Sequence, residues 1–166
     1  EGTDGSGKAT QSKLLFERLQ REGVDCRKLH FPRYGEKSAA LVELYLGGAF
    51  GTHPSDVNAY AASTFYSVDR YASYKQDWGT YYEAGGLLIA DRSTPSNAVH
   101  QGAKLPDEEL PAFFEWLYDF EYVKLGLPRP DLVIYLDVDV EKSLRRRQHR
   151  QEKKHNSAEL HEKAIE

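Results

Sequence analysis

The sequence has no methionine and a single cysteine among its 166 residues. Cys26 has no partner in the chain, which excludes an intrachain disulfide framework and points to a reducing, cytoplasmic compartment. No run of about 18 apolar residues occurs, so no membrane-spanning helix and no membrane partner is expected. The first residues do not read as a signal peptide. Basic residues are not in excess: 22 Lys and Arg stand against 26 Asp and Glu, for a net charge of −4. That balance carries no nucleic-acid signature. There is no Cys/His cluster at metal-ligand spacing, and His149, His155 and His161 do not make a metal site. Internal repeats and low-complexity tracts are absent. The length suits one domain, residues 1–166, with a core of its own.

What is present begins at once. Gly2-Thr3-Asp4-Gly5-Ser6-Gly7-Lys8 has the spacing of a phosphate loop, Gly, four residues, Gly-Lys. Glycines let the backbone curl so that successive N–H groups point inward, and the following helix adds free donors and the positive end of its dipole. Lys8 can then reach between a β- and a γ-phosphate. The expected triphosphate cradle is Gly2, Asp4, Gly5, Ser6, Gly7, Lys8, Ala9 and Thr10. One position departs from the motif: a Ser or Thr hydroxyl after the Lys ordinarily holds Mg²⁺, and here that residue is Ala9. Either carboxylate, water and phosphate oxygens hold the metal, or Thr10 substitutes, or the site is defective. A phosphate loop ordinarily follows a buried strand, and the last residues read as helix. The chain is therefore expected to be part of a longer protein, with an N-terminal strand and a C-terminal part outside it.

Further along, the patterns alternate between helix and strand, as a parallel sheet requires. Thr10–Glu22 reads as a helix with Leu14, Leu15 and Leu19 on one face, closed by Gly23. Val24–Phe31 suits a strand. Phe31-Pro32-Arg33-Tyr34-Gly35 leaves it as a loop at a strand's C-terminal end, where open α/β sheets bind ligands. Ser38–Leu46 reads as a short helix, and a longer one, capped by Ser55 or Asp56, runs to Ala72. Lys75–Glu83 continues as helix. Leu87–Ala90 is an apolar strand ending in Asp91-Arg92, and Asp131–Val138 reads as another parallel strand. Pro111–Leu125 is an aromatic amphipathic helix, read as core or subunit contact.

Several side chains on this frame carry chemistry. An apolar strand ending in Asp is where a carboxylate holds Mg²⁺ or its waters; both Asp91 and Asp137 qualify, and Arg92 favours Asp91. Tyr66 and Arg70 share a helix face, a ring and a guanidinium suited to a planar base. Taken alone, the same pair reads as core packing and a surface ion pair. Asn97 and Gln101 carry amides able to pair with a base edge, with Ser96 as a contact residue or as a helix cap. From Glu141 a basic helix carries Arg145, Arg146, Arg147 and Arg150. After a phosphate loop it reads as a lid, about residues 143–158, that brings guanidinium groups onto a transferring phosphoryl.

In this order and spacing the motifs resemble those of the thymidylate kinases: the phosphate loop with its acid, Phe31-Pro32-Arg33-Tyr34, Tyr66…Arg70, Asp91-Arg92 with Ser96-Asn97, Pro130-Asp131 and the arginine-rich segment. The resemblance runs from Glu1 to about Glu162. It implies a three-layer P-loop α/β fold, with a parallel sheet of about five strands in the full protein and helices on both sides. It implies ATP-dependent phosphorylation of dTMP with Mg²⁺, and a homodimer formed through helices like Asn58–Tyr71. It implies that Asp4 approaches the deoxyribose 3′-hydroxyl and that Phe31, Arg33 and Tyr34 line the monophosphate site. Tyr66 stands near where the family usually stacks a Phe on thymine. Arg70 and Asn97 would contact the base, Arg92 the phosphate, and Asp91 the metal. Gly5 stands where some members place a catalytic Arg; members without it use a lid arginine, which fits Arg146 or Arg150. Ser93 departs from the usual Tyr or His. Two rival functions follow from the departures: a deoxynucleoside kinase, which Asp91-Arg92-Ser93 imitates, and a nucleotide-binding protein without turnover.

Overall fold

A computed structural model describes residues 1–139, 141–146 and 148. Arg147, Arg150 and most of the expected lid lie outside the described residues.

The first helix, α1 (Lys8–Arg21), starts directly on the phosphate-loop lysine, two residues earlier than the pattern suggested. Gly7, at φ 99°, makes the left-handed turn into it. Its C-terminus closes as the sequence indicates: Glu22 and Gly23 donate backbone N–H groups to Arg18 and Gln20, with Gly23 at φ 77°. The chain then enters β1 (Cys26–His30), which pairs in parallel with β2 (Leu87–Asp91), Cys26 opposite Leu87 and His30 opposite Asp91. α1 lies against both strands. Leu14 is turned to solvent, at odds with the expected apolar face, while Leu15 and Leu19 border a groove beside β2.

Two strands in the described residues form the sheet. The expected strand at Asp131–Val138 makes one parallel bridge, Leu136 to Gly2, and Leu132, Val133, Ile134 and Tyr135 are exposed. This segment lies beside Glu1 and Gly2, with hydrogen bonds from the Glu1 nitrogen to the Ile134 carbonyl and from the Leu136 N–H to the Glu1 carbonyl, at 2.8 and 2.9 Å. Between this segment and β2 lies a cavity of about 410 Å³, lined by Leu19, Leu88, Ile89, Ala90 and the 132–136 segment among others.

The helical connection from β1 to β2 builds most of the core. A single 3₁₀ turn, Lys37–Ala39, leads into α2 (Ala40–Leu46). α3 (Ala59–Ser73) is capped by Asn58, whose side chain accepts from the Ala61 N–H at 2.8 Å. The expected caps are otherwise engaged: Asp56 accepts from the His53 N–H within the preceding loop, and Ser55 bonds the His53 ring. A π-helical turn, Tyr74–Trp78, joins α3 to α4 (Gly79–Glu83). After β2, α5 (Thr94–Gly102) follows Ser93 as its cap, so Ser96 sits inside the first turn and not at the cap. α6 (Leu110–Tyr118) ends in a second π-helical turn, Asp119–Lys124. Two apolar clusters result. Ala59, Ala98, Phe113 and Leu117 lock α3, α5 and α6 together, and Phe31, Trp78 and Leu127 pack on Leu29 and Leu88 of the sheet. Of the α6 aromatics, Phe113 is buried in the core, and Phe114, Trp116 and Tyr118 are partly buried against it. Residues 141–146 are helical, with the Asp139 carboxylate accepting from the Glu141 N–H at 2.9 Å.

Candidate active site

The phosphate loop is held from outside as well as by its own turns. Lys8 Nζ donates to the Gly2 and Thr3 carbonyls at 2.7 and 2.8 Å, and Asp4 lies 3.9 Å away. Ser143 reaches across from the 141–146 helix and donates to the Asp4 carbonyl. This contact explains Gly5: at φ 90°, a Cβ there would stand 2.5 Å from the Ser143 carbonyl oxygen, so no side chain, arginine included, fits that position. Ser6 Oγ is buried in the loop with no hydrogen-bond partner among the described residues. Ala9 and Thr10 are exposed on the first turn of α1, and the Thr10 hydroxyl makes no hydrogen bond among the described residues.

Arg92 follows β2 directly and carries the backbone strain of the site. Its φ of 71° makes it the one non-glycine residue in the left-handed region among the described residues. Such a conformation persists where the surroundings over-determine it. One guanidinium nitrogen donates to the Asp4 carboxylate and the other lies 2.9 Å from His100 Nε2 on α5. Partial burial alone would raise the Asp4 carboxyl, but the Arg92 hydrogen bond and charge, with Lys8 and His100, hold it below the ordinary carboxylate range. Burial, then the charge of Arg92, lowers Lys8, partly offset by Asp4, Asp91 and Glu1.

Asp91 is 6 % exposed and lines the same cavity as Lys8. The His30 imidazole lies 3.8 Å from its carboxylate. No group of three His, Cys, Asp or Glu side chains able to cage a metal occurs among the described residues. A lone carboxylate whose charge reaches the phosphate-loop lysine is the donor set Mg²⁺ uses when phosphate oxygens and water complete its shell, so Asp91 fits a magnesium–nucleotide and not a protein-caged ion.

The base-side candidates divide. Arg70 is buried, and its Nε and Nη2 grip the Glu121 carboxylate, the former at 2.9 Å. Ser67 and Thr94 donate to the same carboxylate at 2.7 and 2.6 Å, which satisfies a fully buried Glu121. Arg70 Nη1 makes no protein hydrogen bond among the described residues, and the side chain lines the cavity it shares with Lys8 and Asp91. Neither a surface pair nor a free donor describes it: it is a fixed one. Tyr66 packs edge-on against Tyr45, with ring centroids 6.5 Å apart. Burial, reinforced by Tyr45 and Tyr34, pushes its phenol up to about 12, while the charges of Arg92 and Arg70 act the other way. Asn97 is buried and donates to the Ser63 carbonyl at 3.2 Å, tying α5 to α3. Gln101, one turn later, is buried, and its Oε1 has no hydrogen-bond partner among the described residues. Ser96 donates to the Glu1 carboxylate, which also accepts from the Ser93 N–H at 2.8 Å.

On the β1 side, Phe31 is core, between Trp78 and Leu127. The Arg33 N–H donates to Asp69 Oδ2 at 2.8 Å, and its guanidinium lies 3.9 Å from both Glu36 and Asp77. Tyr34 is 57 % exposed. Arg146 is exposed within the 141–146 helix, and Arg150 lies outside the described residues.

The Thymidylate kinase family profile matches residues 1–165. The chain belongs to the thymidylate kinase family. Among curated relatives, it is 33 % identical over 142 residues to a thymidylate kinase of Mycobacterium tuberculosis, covering 85 % of this chain and 65 % of that protein. It is 33 % identical over 146 residues to a probable thymidylate kinase of Pyrococcus abyssi, covering 88 % and 66 %. A thymidylate kinase of a Synechococcus strain is 31 % identical over 146 residues, with the same coverage. The chain thus spans about two thirds of the length of the relatives it matches. Thymidylate kinase membership implies the P-loop fold, which accords with the loop, its helix and the parallel strand pair. No helix among the described residues is long and apolar enough to cross a membrane.

Four residues of this site carry no motif in the sequence. Glu121 had one available signal: it lies four residues beyond the buried Leu117 on the same helical face, and a carboxylate there needs a buried cation. His100 shares α5 with Asn97, three residues away. Glu1 and Ser143 act through contacts distant in sequence, which no local pattern encodes.

Proposed function

We propose that the protein transfers the γ-phosphoryl group of ATP to dTMP, giving dTDP for dTTP synthesis. The observation that carries this reading is the contact between the phosphate loop and the acceptor side: Arg92, at the end of β2, donates to the carboxylate of Asp4 in the loop that also holds Lys8. Family membership supports the same reaction.

In the proposed reaction a dTMP phosphate oxygen attacks the γ-phosphorus in line and ADP leaves. That oxygen is ionised near neutral pH, so positioning and charge neutralisation suffice without a strong general base. The loop N–H groups and Lys8 hold the β- and γ-phosphates. Arg92, freed in part from Asp4, takes the monophosphate, and Asp4 then faces the 3′-hydroxyl. Arg70 Nη1 donates to a thymine carbonyl, its plane fixed by Glu121. Tyr66 stays a neutral phenol at any physiological pH and offers its ring to the base. Asn97, Gln101 and Ser96 close that side; Phe31, Arg33 and Tyr34 border the monophosphate. Asp91 would hold Mg²⁺ or its waters, and the ion would supply charge neutralisation on the transferring group. Arg146 and Arg150 complete a lid at about 143–158 that excludes water. A sheet of about five strands is proposed for the full protein; the apolar walls of the cavity between β2 and 132–136 support a further strand there. A homodimer in the cytoplasm completes the proposal.

The test is a coupled assay of ADP release with ATP and each nucleoside monophosphate, plus thymidine. ADP release with dTMP and none with thymidine is the expected result. Turnover of thymidine in place of dTMP identifies a deoxynucleoside kinase, and nucleotide binding without ADP release identifies a non-catalytic protein; either outcome ends the proposal.

A further inference from the structure

Arg92 is held between two partners of opposite character. Asp4 takes one end of the guanidinium as a carboxylate, and His100 Nε2 stands 2.9 Å from the other end. An arginine is a donor only, so Nε2 must be an acceptor and the ring must be neutral, with its proton on Nδ1. The strained backbone of Arg92 at φ 71° needs that kind of fixing. We propose that His100 is a positioning residue: as a neutral ring it aims the Arg92 guanidinium at the monophosphate, and protonating it releases that arginine. This rests on the reading in which Arg92 binds the phosphate of the acceptor nucleotide.

The surroundings of His100 favour the neutral ring. His100 is exposed at one edge, and the partial desolvation of its ring is the largest influence lowering its affinity for a proton, followed by the adjacent charge of Arg92 and, more weakly, Lys8; Asp4 and Glu1 pull the other way. α3 and α6 pack on α5; the nearest ionisable residues of α3 are Tyr66, a neutral phenol, whose ring faces Tyr45, and Arg70, paired with Glu121, and neither is among the charges that act on His100. A protonated ring would place a second cation against Arg92 and remove the acceptor. The guanidinium would keep its Asp4 bond alone, turned toward the loop.

Two variants separate this from plain packing. His100→Gln keeps an acceptor near the Nε2 position but does not titrate; His100→Leu removes the acceptor. KM and kcat for dTMP are measured from about pH 5 to about pH 8, and the ratio of wild type to His100→Gln cancels the ionisation of dTMP itself. In that ratio, the wild-type KM for dTMP is expected to rise about threefold to tenfold at the acid end, the worth of one hydrogen bond, with KM for ATP unmoved. His100→Leu is expected to raise KM for dTMP by a similar factor across the whole range, and His100→Gln to restore it. Parallel pH profiles for wild type and His100→Gln, or tighter wild-type binding in acid, would overturn the proposal.

Imidazole ¹⁵N spectra supply a second readout that needs no turnover. The expected spectrum is the neutral Nδ1–H form, titrating below the ordinary histidine value and moving up when Arg92→Ala removes the cation. A midpoint unmoved by Arg92→Ala overturns the proposal even if dTMP is phosphorylated. A wild-type protein inert toward dTMP would instead sink the proposed reaction, while the spectra would still decide the His100–Arg92 contact.

Discussion

Two arginine–carboxylate pairs lie at this site, and they differ in what surrounds them. Arg70–Glu121 is sealed: the side chains are 6 % and 0 % exposed, and Ser67 and Thr94 fill the remaining acceptor sites of the carboxylate. Arg92–Asp4 is open, at 27 % and 55 % exposed, with a histidine as the arginine's other neighbour. A buried pair with every lone pair engaged is architecture, because exchanging a partner would strand a charge in the interior. A half-exposed pair can exchange its partner for a ligand anion at little cost, because water screens whatever is left behind. In the proposed reaction, an arginine–carboxylate pair thus serves a rigid base pocket in one place and an adaptable phosphate grip in the other.

The contrast can be broken by mutation. Glu121→Ala should lower the unfolding free energy by about 3–5 kcal/mol, since Arg70 would be left buried and unpaired; denaturant titration measures this, and a loss under about 1 kcal/mol would show that the pair is not sealed. Lys8→Ala should leave stability nearly unchanged but reduce kcat by about two decades or more, as expected for a preorganised charge at the transferring group. Arg70→Lys keeps the charge and loses the fork that faces Glu121. It should raise KM for dTMP about tenfold and leave KM for ATP alone, and equal effects on both would remove Arg70 from the base side. Asp4→Asn should change stability at neutral pH by less than about 1 kcal/mol. Its signature is acid unfolding. The depressed Asp4 carboxyl contributes stability above the ordinary carboxylate value, and that contribution is lost as pH falls through the folded-state value. The variant should therefore unfold less steeply in that acid window than the wild type.

The two regions also differ in how far the sequence announced them. The phosphate loop was legible because its physics is local: glycine spacing, a lysine and a helix start lie within ten residues. Asp91-Arg92 was legible for the same reason, as the polar end of an apolar strand. The helices were read to within a few residues; one π-helical turn, Asp119–Lys124, falls inside a stretch assigned to a single helix, and the other, Tyr74–Trp78, spans the start of the stretch assigned from Lys75. Arg70 was singled out, but its partner was not, because Glu121 lies 51 residues away and nothing near it in sequence marks it as buried. The Ser143 contact spans 139 residues and explains Gly5 only once both are in place. Asp131–Val138 has a strand's composition and makes a single bridge, since pairing depends on what lies alongside. Asn97 was read as a base contact from its amide; its Nδ2 is committed to the Ser63 carbonyl.

The central claim is that the triphosphate cradle around Lys8 and the pocket behind Arg70 and Arg92 face one another closely enough for direct transfer. The most direct measurement is calorimetric binding of a bisubstrate analogue in which adenosine and thymidine are joined through five phosphates, compared with ATP and dTMP alone. Occupying both halves at once should make it bind at least about a hundredfold tighter than either nucleotide. An affinity no better than that of ATP, with dTMP still able to bind beside it, would contradict the account.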